Sequence, residues 1–490
     1  MNFRMLGYLL GAILLIEAAL FLFPLAVALL FGENPLPFLI SFGVTGAVAI
    51  PFVACKPKNT RIFAKEGFVC VAAGWILLSL FGALPFVLSG AIPNYVDALF
   101  ETVSGFTTTG ASLLPTVETL PKGVLFWRSF THWIGGMGVL VFMLAILPSA
   151  GGQSMHLLRA EVPGPTKGGK LVPKLRQTAM ILYGIYLFLT LVQAAALCIA
   201  GFPLYDAVVT AFSTAGTGGF GVRDGSIAAY ANPAAEWIIA VFMLLFGLNF
   251  NLYFFLLIRH FGSVLRNEEL RVYLILVLLS TGVIAWNTWG MVGGGIRNAF
   301  FQVTSIMSTT GFVTVNYDTW PTLSKAILVA LMLCGGCAGS TAGGLKVSRV
   351  MILFKCMTRE IRHLRRPRSI NTVHMDGEVV EESNVRGATN YLALYVALIV
   401  AGTLLIAADP LTGAAAGNSL ETSLTSVLTC LNNVGPGLGK VIGATGNFSP
   451  FSPFSKLLLS LLMLVGRLEI MPMVIFFAPA TWKKAVTRPR

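Results

Sequence analysis

DALFETVSGFTTTG, residues 97–110, joins an apolar stretch to a run of three threonines and a glycine. The same arrangement recurs as DAVVTAFSTAGTGG (206–219), NAFFQVTSIMSTTG (298–311) and ETSLTSVLTCLNNVG (421–435). The first three copies separate the acid or amide from the glycine by 13 positions, and the fourth separates them by 14. The repetition predicts one structural unit used four times: a short apolar helix, a polar tripeptide and a glycine.

The chain around these copies has the composition of a polytopic membrane protein. Of its 490 residues, 56% are hydrophobic and only 11% are charged, whereas about a quarter are charged in a typical globular protein. A transmembrane helix needs about 20 apolar residues. Ten segments meet this requirement: 5–31, 36–55, 68–90, 125–148, 178–201, 234–258, 270–292, 324–352, 387–408 and 454–479. Helices are also predicted over 95–106, 204–215, 296–307 and 419–431, but these are too short to cross a bilayer.

The distribution of lysine and arginine predicts the orientation. At the two termini and in the connections that share their side, the chain places 26 of its 34 basic residues, so the positive-inside rule predicts two cytoplasmic termini. All four short helices then lie in extracellular connections and must enter the membrane and return. Non-helical backbone at membrane depth survives only where it lines a cavity or is buried in protein. We therefore predict four re-entrant segments around one pore.

The net charge of +13 needs no nucleic-acid partner. The basic loop 346–386 contains HLRRPR (363–368), a type of cluster that can bind nucleic acid. Cytoplasmic anchoring of basic residues near anionic lipid accounts for it far better. We therefore predict membrane lipid as the partner of this charge, and no nucleic acid.

Alignment of the four copies on their glycines gives three columns. Two positions before the glycine stand Thr108, Thr217, Thr309 and Asn433; one position before stand Thr109, Gly218, Thr310 and Val434; the glycines are Gly110, Gly219, Gly311 and Gly435. Converging backbone carbonyls can replace the hydration shell of a monovalent cation, and glycine permits the positive φ that this requires. The tripeptides contain no carboxylate, which disfavours calcium or magnesium. Small-residue helix contacts or ordinary loops are the alternative interpretation.

A second glycine-rich stretch, CGGCAGSTAGG (334–344), interrupts the predicted span 324–352. Each glycine weakens a helix by about 1 kcal/mol relative to alanine, so we predict two half-helices around a loop. The loop residues of interest are Gly335, Gly336, Gly339, Ser340, Thr341, Gly343 and Gly344. Tight helix packing through small residues is the alternative. Cys334 and Cys337 form a CxxC, but no second Cys or His pair stands nearby, which favours packing over zinc or redox chemistry.

Arg467 falls near the middle of the last predicted span. A charged side chain at that depth costs at least a few kcal/mol unless it is satisfied. We therefore expect Arg467 to face the pore, the carbonyls of the loop, or an acid. Glu469 is two residues further on, on a different face of a helix. A static structural ion pair is the alternative.

The four motifs TTTG, GTGG, STTG and NNVG resemble those of the TrkH/TrkG bacterial potassium-uptake subunits of the Trk/Ktr/HKT superfamily. The resemblance covers nearly the whole chain and includes RAEVPGPTK (159–167), GGCAGSTAGGLKVSR (335–349), LNNVGPGLG (431–439) and GRLEI (466–470). Two additional N-terminal spans look like those of TrkH rather than of the shorter KtrB form.

The resemblance implies an all-α membrane fold of four M1–P–M2 repeats in a pseudo-fourfold arrangement, preceded by two transmembrane helices. The expected boundaries are 1–66 for the two N-terminal helices, 67–177 for repeat 1, 178–269 for repeat 2, 270–385 for repeat 3 with its broken M2 and basic loop, and 386–490 for repeat 4.

The resemblance also implies potassium and rubidium uptake across the bacterial inner membrane through a filter built from the three columns. It implies a homodimer gated by a cytoplasmic ring of nucleotide-binding, RCK-domain subunits similar to TrkA. The glycine-rich loop and Arg467 would lie beneath the filter, where Arg467 repels cations and helps to hold the closed state. Serine at the first-repeat glycine accompanies sodium selectivity in plant HKT relatives, so Gly110 favours potassium.

Two other classes of function compete with potassium transport. A secondary carrier for a small organic solute would also use broken helices, but the copies here share one orientation. A membrane enzyme is disfavoured because the five histidines form no HExxH and no GxSxG is present. Gly439 and Lys440 are followed by Val441, so this chain has no Walker motif for a nucleotide. The sequence leaves open whether the ion moves by passive conduction or coupled symport.

Overall fold

The computed structural model describes residues 1–55, 57, 59, 62–138, 175–368, 371–416 and 419–482. The regular structure of these residues is almost entirely helical, and their one pair of strands, His374–Met375 and Glu378–Val379, is antiparallel. The chain is therefore an all-α polytopic membrane protein, as the sequence predicted.

The N-terminal part consists of two apolar helical segments that pack against each other as a hairpin. The first segment is Phe3–Leu20 continued by Leu22–Leu30, and the second is Leu36–Ala54. A glycine lets them approach closely, because a Cβ on Gly11 would lie 2.6 Å from the Cβ of Phe52. This pair matches the two additional N-terminal spans.

The remainder runs four times through a leading helix, a short helix and a trailing helix. The leading helices are Ala64–Gly82 continued by Leu84–Leu88, Leu175–Ile199, Glu268–Asn287 and Glu382–Ala408. The short helices are Tyr95–Phe106, Leu204–Ala215, Ile296–Met307 and Leu420–Asn432. The trailing helices are Lys122–Gly136, Pro233–Phe246 with Phe250–Leu257, Thr322–Cys334 with Val347–Arg365, and Pro453–Arg467 with Met471–Phe477. This order agrees with the predicted repeat, while the boundaries proposed between repeats stay a prediction.

Leading and short helices differ in what surrounds them. The leading helices expose large apolar side chains, among them Phe188, Leu278 and Leu404, each more than 60% accessible. An apolar helix with an apolar outer face is typical of a membrane span. The short helices are instead buried over most of their length. They therefore lie inside a bundle whose outer surface suits lipid.

Fewer helices cross continuously than the sequence predicted. Within the described residues, six are long and apolar enough to span a membrane, or seven if one bent pair counts as a span. The predicted continuous spans 234–258 and 454–479 are wrong. The first bends by 91°, and the second stops at Arg467 and resumes at Met471. Span 324–352 is broken as predicted, and 125–148 runs past Gly138 into residues outside the described part.

Local backbone chemistry explains both unexpected breaks. Gly247 ends one half-helix, and the side chain of Asn249 accepts the Asn251 N–H at 3.0 Å, which caps the next half. In the last trailing helix, Glu469 and Ile470 have φ of +55° and +65°, a left-handed conformation that cannot continue an α-helix. Apolar periodicity alone does not report such breaks, because both halves keep the same pattern.

Candidate cation site

Each short helix ends in the same left-handed turn. The φ values are +56° at Thr108, +56° at Thr217, +58° at Thr309 and +56° at Asn433. Thr108 N–H donates to the Gly105 carbonyl at 3.1 Å and Thr109 N–H donates to the Ser104 carbonyl at 2.9 Å, and the other three copies repeat this pair. The pair is a Schellman motif. These N–H groups bond back to carbonyls of their own short helix. The carbonyls of the segment that follows the helix can therefore point away from the helix.

The glycine column continues the alternation of backbone handedness. Its φ values are +77° at Gly110, +79° at Gly219, +81° at Gly311 and +98° at Gly435, whereas the residues immediately before them have no positive φ. Alternating signs of φ turn successive carbonyls toward one side of the chain. Only glycine adopts this conformation without strain.

The four glycines meet their neighbours in a closed cycle. A Cβ at Gly110 would lie 1.9 Å from the carbonyl oxygen of Gly218, and a Cβ at Gly219 would lie 2.1 Å from the carbonyl oxygen of Thr310. A Cβ at Gly311 would lie 2.1 Å from the carbonyl oxygen of Val434, and a Cβ at Gly435 would lie 2.6 Å from the carbonyl oxygen of Thr109. Each glycine thus abuts the carbonyl that precedes the glycine of the next copy, and the fourth copy returns to the first. We call these four carbonyls the carbonyl ring.

The residues of the three columns offer backbone and side-chain oxygen atoms, and none of them carries a formal charge. The Thr108 hydroxyl and the Asn433 amide oxygen are buried without a hydrogen-bond partner among the described residues. The Thr217 hydroxyl donates to the Gly216 carbonyl at 2.6 Å, and the Thr309 hydroxyl accepts a bond from a distant N–H. The short helices end at the ring with their negative dipole ends. This arrangement suits a dehydrated monovalent cation.

The glycine-rich loop docks directly against this site. The helix Thr322–Cys334 stops at Gly335, whose φ is +73°. Gly343 N–H donates to the Thr309 hydroxyl at 2.7 Å, and a Cβ on Gly343 would lie 2.3 Å from the Asn432 carbonyl oxygen. The loop therefore packs against the ends of the third and fourth short helices.

On its other side, the loop is bonded to the break in the second trailing helix. Cys337 N–H donates to the Gly247 carbonyl at 3.0 Å, and Phe250 N–H donates to the Gly339 carbonyl at 3.0 Å. Both cysteines of the CxxC are free thiols. Among the described residues, no cluster of His, Cys, Asp or Glu has the geometry to hold a metal ion.

Arg467 lies at the junction of the loop and the first trailing helix. Its guanidinium donates to the Thr341 carbonyl at 2.7 Å and to the carbonyls of Gly135 and Gly136 at 2.5 and 2.7 Å. The structure thus places Arg467 against loop carbonyls, one of the three environments expected for it. Glu469 instead pairs with Arg349.

Sequence reasoning missed several charged residues near the loop. The carboxylate of Glu269 accepts the N–H groups of Ala338 and Ser348 at 2.7 and 3.1 Å, which ties the loop to the first turn of the half-helix that follows it. Arg349 pairs with Glu469 across the same region. One signal in the sequence could have identified these residues: they are ionisable residues within or beside apolar segments, and such residues are by default candidates for a functional role.

The fold and the site define a class: polytopic α-helical membrane proteins in which four short buried helices end at one ring of backbone carbonyls. Comparison with known sequences gives the family. The chain belongs to the TrkH family of cation transport proteins, whose sequence model matches residues 40–484. This is a family of transporters and not of enzymes.

Full-length relatives agree. The chain is 35% identical to the Trk system potassium uptake protein TrkH of Salmonella typhimurium, over 99% of this chain and 100% of the relative. It is 32% identical to TrkG of Escherichia coli, over 98% of this chain and 99% of the relative. The crystal structure of the potassium transporter TrkH from Vibrio parahaemolyticus superimposes with a TM-score of 0.86 at 30% identity, covering 99% of this chain and 100% of that one.

Proposed function

We propose that this protein takes up potassium, and rubidium, across the bacterial inner membrane through a selectivity filter formed by the four re-entrant segments. One observation carries the proposal: the closed cycle in which the glycine of each copy abuts the ring carbonyl of the next. Full-length similarity to potassium uptake proteins supports the choice of ion. The excess of basic residues on one side supports two cytoplasmic termini.

The backbone geometry supports the assignment of the filter ligands. The proposed potassium-binding residues are Thr108, Thr109, Gly110, Thr217, Gly218, Gly219, Thr309, Thr310, Gly311, Asn433, Val434 and Gly435. Their carbonyl and side-chain oxygens replace the water that the ion sheds on entry. Potassium is the transported ion, and the membrane potential, about 2.3 kcal/mol per charge per 100 mV, drives its entry.

The glycine-rich loop is the proposed gate. Its residues Gly335, Gly336, Gly339, Ser340, Thr341, Gly343 and Gly344 connect the two half-helices of the third repeat. The hydrogen bonds from Gly343 to Thr309 and from Arg467 to Thr341 support a position directly below the filter. In this state the loop obstructs the path, and Arg467 adds a positive charge that repels cations.

The gate needs an external signal, since this chain has no Walker motif. We propose that the protein forms a homodimer and binds a cytoplasmic, TrkA-like RCK subunit that senses a nucleotide. The resemblance of the motifs supports this, and relatives that are 35% identical to the chain bear the name of a Trk system. A direct check is whether the purified protein elutes as a dimer and retains an RCK subunit.

Rubidium flux into proteoliposomes tests the proposal. Wild-type protein is expected to take up ⁸⁶Rb⁺ faster than ²²Na⁺, and Gly110→Ser is expected to raise the sodium share. Gly184→Ala is the matched control, because among the described residues no atom outside its own stretch of helix lies within 4 Å of the added Cβ. Absence of cation flux in wild type and variant, with or without the RCK subunit, would overturn the function. Equal sodium and potassium flux in the wild type would remove only the selectivity.

A further inference from the structure

The segments that follow the ring differ in how they are held. We call residues 108–113, 217–222, 309–314 and 433–438 walls 1 to 4. In three of the walls, a side chain of the wall's own short helix is hydrogen-bonded to the backbone beyond the glycine. In wall 1, Glu101 accepts the Leu113 N–H at 2.9 Å. In wall 3, Ser305 donates to the Phe312 carbonyl at 2.7 Å, and in wall 4, Thr429 donates to the Pro436 carbonyl at 3.2 Å. These bonds fix the backbone that carries the ring.

Within the described part of the chain, wall 2 has no such bond from its own short helix. Ser213 stands six positions before its glycine, as Ser305 does in the third copy, but its hydroxyl has no hydrogen-bond partner among the residues that the structure describes. Thr210 stands nine positions before the glycine, where the first copy has Glu101. A threonine side chain is too short to repeat the reach of that carboxylate. The glycine-rich second wall is therefore held by something else.

The trailing helix of the first repeat supplies the missing support. Arg128 donates to the Gly221 carbonyl at 3.2 Å, and its guanidinium lies 3.5 Å from the ring centre of Phe220. His132 is one helical turn further on and faces the same wall. Its imidazole centre lies 4.1 Å from that of Phe220.

His132 also explains the residue type in the second copy. A Cβ on Gly218 would lie 2.3 Å from the imidazole, so the ring fills the volume that a side chain would need. The equivalent positions of the first and third copies hold threonine, each bonded to a hydroxyl two residues earlier in its own copy. In wall 2, the space that threonine fills in walls 1 and 3 is filled by His132, which belongs to a neighbouring helix.

Both supporting side chains are themselves held by the first short helix. Arg128 Nε lies 2.7 Å from Glu101 Oε1, and both side chains are almost completely buried. His132 Nδ1 is bonded to the Gly105 carbonyl at 2.8 Å. A buried ion pair is weak evidence for stability, because desolvation offsets the attraction. Its effect here is geometric: it couples the position of wall 2 to that of wall 1.

We propose that Arg128 and His132 are positioning residues that set ion selectivity by holding the second wall of the filter. This inference rests on the proposed potassium transport. A filter distinguishes cations through the number and arrangement of its carbonyl oxygens. When wall 2 loses its support, its carbonyls move closer to a smaller ion, and sodium enters more easily.

A compensating pair of substitutions tests the role of His132. His132→Ala leaves a void behind wall 2, and Gly218→Ala forces a Cβ into the imidazole. The double variant places the new methyl group in the space that the histidine vacated, and Gly218 has no positive φ to forbid alanine. Each single variant is expected to raise the sodium-to-rubidium permeability ratio about tenfold, equivalent to about 1.4 kcal/mol. The double variant is expected to return toward the wild-type ratio.

A neutral pair tests Arg128. Glu101→Gln with Arg128→Gln avoids leaving one buried charge unpaired, and glutamine can still accept the Leu113 N–H. The control is Arg297→Gln with Glu236→Gln, a 2.9 Å ion pair in which Arg297 is 42% exposed. The first pair is expected to raise the permeability ratio, and the control pair is expected to leave it unchanged.

The outcomes separate the two proposals. No cation flux in the wild type contradicts the proposed function itself. Selective flux in the wild type with an unchanged ratio in every variant overturns only the positioning role. If both single variants are inactive, recovery of selective flux in His132→Ala with Gly218→Ala supports the inference, and continued inactivity contradicts it.

Discussion

Replacing Arg467 by glutamine is the most direct test of the gate. The side chain holds the loop through a charged hydrogen bond of 2.7 Å to the Thr341 carbonyl. Its other two bonds go to the carbonyls of Gly135 and Gly136, which belong to the first trailing helix and not to the loop. Of these three bonds, the one to Thr341 opposes movement of the loop.

That bond gives the size of the effect. A hydrogen bond to a charged group contributes about 1.5–3 kcal/mol net, and each 1.4 kcal/mol changes an equilibrium about tenfold. Losing the bond is therefore expected to shift the closed-to-open ratio about 10- to 150-fold toward the open loop. The initial rate of ⁸⁶Rb⁺ uptake into proteoliposomes, without an RCK subunit, is expected to rise accordingly.

Arg467→Lys separates geometry from charge. Lysine keeps the positive charge below the ring but loses the planar fork of donors, so an intermediate rate is expected if the hydrogen bond matters. Arg297→Gln, at a partly exposed site away from the loop, controls for loss of an arginine. Unchanged basal uptake in Arg467→Gln, in protein that is monodisperse and unfolds at the wild-type temperature, would refute the gating argument.

Three further outcomes are expected. Gly219→Ala should reduce rubidium uptake at least tenfold, because its Cβ would lie 2.1 Å from the Thr310 carbonyl oxygen and its φ of +79° costs alanine about 1–2 kcal/mol; Gly184→Ala should retain wild-type uptake. Glu269→Ala removes the acceptor of one loop N–H group and of one in the half-helix that follows, so basal rubidium uptake should rise, and an unchanged rate would argue against anchoring. Burial alone would raise the pKa of Asp409, but three hydroxyl donors and a backbone N–H lower it to about 2. Since this lies below the unfolded value of about 3.9, its stabilisation is present above about pH 4 and is lost as the pH falls toward 2. Asp409→Asn should lower the unfolding temperature in detergent at neutral pH and flatten its dependence on acid; identical melting curves would contradict this.

Local sequence was sufficient to predict the short helices. The predicted ranges 95–106, 204–215 and 296–307 coincide with helices in the structure, and the fourth differs by one residue at each end. The residues that start each short helix, its apolar run and its terminal glycine lie within about 15 positions of each other. The sequence signals for these helices are therefore local, and they can be recognised without knowledge of distant contacts. The left-handed conformation of Thr108 and its equivalents was not predicted, because threonine seldom adopts a positive φ without a Schellman turn.

The sequence by itself determined the class of protein, the four copies and the residues that converge. Composition and period are properties of the chain, and they do not depend on how distant segments meet. Only the tertiary structure decided that the copies close into a ring, that Arg467 bonds Thr341, and that His132 stands behind Gly218. Each of these contacts joins residues on different helices, and an apolar helix has the same pattern whether it is straight or broken. Gly218 in GTGG is another example. A side chain at this position would collide with the imidazole of His132, which stands 86 positions earlier in the chain and in a different repeat.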